Sequence, residues 1–114
     1  MMEGRGLAGI ALVWLLASAL GLGGGRLNAQ EREALIAQGQ RLFADKGCYG
    51  CHTIGTAGTP IAPDLRQAAA RYSEATLARW LRDPSAQKPT LHMPKLELSA
   101  VEASALAAYL ASLH

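Results

Sequence analysis

Cysteine is scarce in this 114-residue chain: there are two, Cys48 and Cys51. A structural disulfide between them would close a very short loop and leave the adjoining His52 unexplained. A structural zinc site needs four protein ligands, usually from two ligand pairs, and one Cys pair with His52, His92 and His114 falls short of that pattern. A convincing strand before Cys48 is missing too, which removes the strand-to-helix frame that a thioredoxin-like dithiol requires. Basic clusters are absent. Eleven Lys or Arg against nine Asp or Glu give a formal charge of +2, and the cations are spread along the chain instead of forming the stripe that a nucleic-acid backbone demands. No internal repeat or low-complexity tract is visible.

What the chain does carry is Cys48-Tyr49-Gly50-Cys51-His52. Two thiols at i and i+3 followed at once by an imidazole form the attachment signature of a c-type haem. Each sulfur can form a thioether to one vinyl group of the porphyrin, and the two-residue gap brings both sulfurs to one edge of the ring. His52 then offers a nitrogen to the iron.

No charge occurs from position 6 to position 25, and residues 7–16 (LAGIALVWLL) are nearly all apolar, with Arg5 before them and Arg26 after. Two readings stay open. Ala17-Ser18-Ala19 fits a small-x-small cleavage site after an apolar core, which makes a removable signal peptide. Alternatively, this uncharged stretch would reach about 30 Å as a helix and serve as an uncleaved membrane anchor. Gly21, Gly23, Gly24 and Gly25 suit either a cleaved tail or a flexible tether. We therefore expect residues 1–29 to be a signal peptide or anchor with its tether, and residues 30–114 to form one exported, periplasmic domain. A domain of that size is marginal on a hydrophobic core alone, and a covalently held porphyrin adds apolar surface for side chains to bury against.

Within the domain, residues 31–46 read as a helix with acidic residues in its first turn and Leu35, Ile36, Gly39, Leu42 and Phe43 along one face. Gly47 ends it. Gly39 costs roughly 1 kcal/mol against Ala in a helix interior, which either a close helix approach or a tolerant site would explain. Ser99-Ala100-Val101-Glu102 is a capping box that opens a last helix carrying Leu106, Tyr109 and Leu110, expected to pack on the first. Residues 73–82 read as a shorter helix with Leu77, Trp80 and Leu81 facing inward, stopped by Asp83-Pro84, and a weaker helical turn covers 64–71. Residues 53–63 and 84–98, rich in Pro and Gly, read as loops.

The longer loop contains Met93-Pro94, and Met93 is the only Met outside the initiating pair. Its thioether is a soft donor suited to haem iron, and a His/Met pair raises a haem's reduction potential. Met93 is therefore expected as the sixth ligand. His92 is its rival, since adjacent side chains in an extended loop point to opposite sides and only one can reach the iron.

Taken in order, the haem-attachment motif, Ala62-Pro63-Asp64-Leu65, the run from Ala78 to Pro84, Met93-Pro94 and the terminal helix resemble a small class I, mono-haem bacterial cytochrome c. The resemblance covers residues 35–113. It implies an all-α fold of three to four helices around one covalently bound haem c, with Cys48 and Cys51 as thioether residues and His52 and Met93 as the axial ligands. It also implies that the Pro63 carbonyl accepts the other imidazole N–H, which orients the ring and tunes its basicity. Many members have Gly where this chain has Ala62. Tyr72 and Trp80 lie near the propionates in such folds, although core packing explains them as well.

With both axial positions filled by protein, the expected task is outer-sphere electron transfer between an upstream reductase and a downstream oxidase, without catalysis. Lys88 and Lys95 flank the ligand loop where a partner would dock. The alternative is a membrane-anchored haem subunit of a respiratory complex, such as an oxidase, a nitric oxide reductase or a sulfur-oxidising complex. A gas sensor or weak peroxidase would need an open sixth position, which Met93 denies.

Overall fold

Reciprocal side-chain caps start both long helices of the computed structural model, which describes residues 26–87 and 93–113. Residues 1–25, expected as signal peptide or anchor, and Lys88, His92 and His114 lie outside those residues. Helix α1 is Ala29–Asp45, followed by a 3-10 turn at Cys48–Gly50. A two-residue hairpin comes next, β1 Thr53–Ile54 and β2 Ala57–Gly58. Then come α2 Ala68–Arg71, α3 Glu74–Arg82, α4 Pro84–Gln87 and α5 Ala100–Ser112. The architecture is all-α apart from the hairpin, in which Thr53 pairs with Gly58 and Ile54 with Ala57.

Helix α1 begins two residues ahead of the expected start. Asn28 Oδ1 accepts the Glu31 amide at 2.8 Å while the Glu31 carboxylate accepts the Asn28 amide at 3.3 Å, so two of the helix's orphan donors are satisfied. The same device opens α5 where the sequence places it: Ser99 Oγ accepts from the Glu102 amide and Glu102 accepts from the Ser99 amide.

Helix α5 is the centre of the molecule. Ala103, Ala105, Leu106, Ala107, Ala108, Tyr109 and Leu110 are all buried, a helix apolar nearly all round because α1 and α3 both pack on it. The crossing with α1 is tight. A Cβ on Gly39 would run into the Ala105 carbonyl oxygen and lie 2.7 Å from the Tyr109 Cβ. Of the two explanations for that glycine, close approach is the one the packing supports.

Ser73 caps α3 through the Thr76 amide, and Leu77 and Leu81 are buried while Trp80 is half-buried. Arg32 of α1 grips the Glu74 carboxylate with two nitrogens, at 2.6 and 3.3 Å. Both side chains are about two-fifths exposed, so this clamp contributes at most about 1 kcal/mol and mainly fixes register between the helices.

Two stretches read as loops contain regular structure. After α3 stops, Pro84 opens the single-turn α4: Asp83 Oδ1 accepts from the Ala86 amide and the Ser85 hydroxyl, and Pro at the first helical position has no amide to leave unsatisfied. Residues 53–63 hold the β1–β2 hairpin. Its strands are too short for an alternating pattern to register.

Candidate functional site

The helix that positions the motif ends abruptly. Gly47 takes φ 78°, the left-handed conformation open to glycine at no steric cost, and turns the chain out of α1. The chain then coils tightly: the Gly50 amide donates to Gly47 O at 2.9 Å, and the Cys51 and His52 amides both donate to Cys48 O, at 3.3 and 2.9 Å. One turn therefore carries both thiols and the imidazole. Tyr49 fastens that turn to the core, its ring edge-on to Phe43 at 4.7 Å, and Phe43 in turn meets Tyr109 of α5 at 5.9 Å.

Both cysteines are free thiols, Cys48 half-buried and Cys51 exposed. Burial pushes the Cys48 thiol up, so its surroundings favour an uncharged sulfur, and a thioether is one. Among the described residues, no group of three or more His, Cys, Asp or Glu converges as a metal-binding cluster.

The chain after His52 doubles back beneath the motif. Cys51 O accepts the Ile61 and Ala62 amides at 3.1 and 2.7 Å, and His52 O accepts the Thr59 amide at 3.3 Å. The return brings the Pro63 carbonyl to 2.8 Å from His52 Nδ1. A carbonyl can only accept, so Nδ1 carries the proton and Nε2 is left with its lone pair facing away from that bond. Ala62 has no left-handed φ, so the turn accommodates its Cβ.

Two residues outside the expected ligand set, Gly58 and Asp64, hold this geometry. Gly58 has φ 103°, and a Cβ there would collide with His52 O and sit 3.0 Å from the Tyr49 ring. The Asp64 carboxylate accepts four hydrogen bonds: Oδ2 from Thr53 Oγ1 at 2.8 Å and the Gly55 amide at 2.9 Å, Oδ1 from the Arg66 amide at 2.9 Å and Arg66 Nε at 3.1 Å. Its pKa is drawn down to about 2, first by the Arg66 amide, with Thr53 and the Arg66 guanidinium adding to it against partial desolvation. A solitary Gly in a loop was the available signal for Gly58. Asp64 is visible in the sequence only as part of the Ala62-Pro63-Asp64-Leu65 match, and its bonding is not, because its hairpin donors lie 9 and 11 residues back.

Met93 is half-buried and packs against the cluster that contains Phe43, Leu98 and Leu106. Residues 93–98 then run into α5, with Glu97 in the left-handed region at φ 54° and Leu98 buried. Lys95 borders an open groove together with Arg79 and Arg82. Tyr72 is exposed and leans against Trp80 with ring centroids 5.3 Å apart.

The fold and this turn define a small helical domain that offers two thiols and one oriented imidazole beside an apolar core, with a thioether against that core. That donor set suits a c-type haem. The Cytochrome c family model matches residues 36–114, and the chain belongs to the cytochrome c family. Membership brings haem c as cofactor and electron transfer as the task. Over 90 residues the chain is 37% identical to cytochrome c oxidase subunit 2 of Alkalihalophilus pseudofirmus, an alignment covering 71% of this chain and 26% of that protein. The chain thus spans about a quarter of that relative's length. No helix among the described residues is long and apolar enough to cross a membrane.

Proposed function

We propose that this chain is a mono-haem c-type cytochrome that carries single electrons between respiratory redox partners outside the cytoplasm. In this reading Cys48 and Cys51 hold one haem through thioethers, and His52 and Met93 are its axial ligands. The observation that carries the proposal is the 2.8 Å contact between His52 Nδ1 and Pro63 O. It fixes tautomer and ring direction together and leaves Nε2 as the donor. Haem, when bound, supplies the one-electron iron couple. The chain's own residues supply position: the turn from Cys48 to His52 sets sulfurs and imidazole in a common frame, Tyr49 holds that frame to the core, and Gly58 lets the hairpin close against it. Held by His52 and Met93, a haem would present no open position to substrate and would supply electron exchange through the surface.

A second reading has its own support in the similarity to a subunit named for cytochrome c oxidase. In that reading the domain is a haem c module tethered by residues 1–29 and works within a respiratory complex.

The attachment and ligation are tested on the purified coloured protein. Acid-acetone extraction should leave haem on the polypeptide, and release of free haem contradicts the thioether assignment. The ferric protein should show the weak near-infrared sulfur-to-iron band, and Met93→Ala should remove it. A band that persists in that variant assigns the sixth position to another residue.

A further inference from the structure

The geometry points to Asp64 as a positioning residue: its carboxylate clasps the β1–β2 hairpin to the segment after Pro63 and thereby holds the Pro63 carbonyl on the His52 ring. This rests on the reading of His52 as an iron ligand and extends it by one residue.

The argument is torsional. The proline ring locks φ of Pro63, so the direction of its carbonyl is set by ψ alone, and the peptide plane that ψ turns ends at the Asp64 Cα. Whatever pins Asp64 pins that carbonyl. On one side Oδ2 is tied to Thr53 and Gly55, one and three residues after His52 in the chain. On the other, Oδ1 is tied to the Arg66 amide and guanidinium. The Leu65 amide adds a bond to Thr53 O at 3.0 Å. Donor and acceptor of the His52–Pro63 bond thus sit on two strands of chain that a single carboxylate bridges. Charge-assisted bonds are roughly twice as strong as neutral ones, so losing the carboxylate frees ψ at Pro63 more than losing any one donor would.

The test is solvent exchange of the His52 Nδ1–H proton, followed by NMR in the ferrous haem protein. Asp64→Ala should speed exchange by about tenfold, the equivalent of one lost bond to a charged group. Asp64→Asn, which retains one acceptor oxygen, should speed it less. Thr53→Val removes one donor, leaves the charge intact, and should also speed exchange, which keeps the test open if Asp64→Ala does not fold. Glu33→Gln removes an exposed carboxylate of α1 and should leave exchange unchanged. Wild-type exchange rates in both Asp64→Ala and Thr53→Val overturn the inference, as does an equal acceleration in Glu33→Gln. A wild-type protein whose His52 does not bind iron defeats the underlying reading instead, and that is seen before any variant is made.

Discussion

A carboxylate that accepts four hydrogen bonds makes the domain sensitive to acid at one residue. In the unfolded chain Asp64 titrates near its ordinary value of 3.8, whereas in the fold it is held to about 2. The folded state therefore binds fewer protons across that interval, and stability rises with pH through it. The contribution is complete above 3.8 and is lost as pH falls through about 2. Asp64→Asn has no such window. The stability difference between wild type and Asp64→Asn, measured by denaturant unfolding, should be full at neutral pH, narrow below 3.8 and close near 2. A difference that is the same at every pH would mean that Asp64 acts through shape and not through charge. Gly58 works at the same scale with the opposite chemistry, contributing only the absence of a Cβ where His52 O and Tyr49 close in.

Between elements, the crossing of α1 and α5 sets two effects of similar size against each other at Gly39. Helix propensity favours Gly39→Ala by about 1 kcal/mol. Packing opposes it, because the new methyl would meet the Ala105 carbonyl, a backbone atom in the middle of a buried helix that cannot swing aside. Packing wins, and Gly39→Ala should destabilise the folded domain by about 1–3 kcal/mol in denaturant unfolding. A gain in stability would mean that the two helices sit farther apart than described. The sequence could show that Gly39 was costly but not what faced it, since Ala105 and Tyr109 come some seventy residues later. Caps were legible where they stood directly before an apolar run, as at Ser99. Asn28 was passed over because the acidic first turn at Glu31 drew the boundary inward. Asp83-Pro84 served as both a stop and a start, and only the stop was visible: the cap that begins α4 is a matter of Asp83's rotamer, which residue identity does not encode. The motif residues were readable because their chemistry is local. The clasp that holds them is not, since its parts meet only after the chain has turned back on itself.

At the scale of the whole molecule, net charge and domain size bear on how the protein is stabilised and how it meets a partner. Among the described residues the largest fully buried side chains are Phe43, Leu106 and Pro84, and domains of this size are commonly supplemented by a covalent group or a metal. From residue 20 onward ten Lys or Arg face eight Asp or Glu, so two haem propionates would bring the domain near neutrality. Long-range attraction then contributes little to meeting a partner, and local patterns matter more, such as the groove where Lys95, Arg79 and Arg82 stand beside Asp83 and Glu97. A freely diffusing carrier must find its partner from solution, whereas a tether raises the effective concentration of a partner in the same complex. The fate of the apolar leader therefore separates the two functional readings more sharply than any property of the folded domain. Intact mass with N-terminal sequencing of the mature protein should return a chain that begins near residue 20 and carries the mass of one haem. Retention of residues 1–19 would favour the tethered subunit, and a mass equal to the bare polypeptide would remove the covalent haem from both readings.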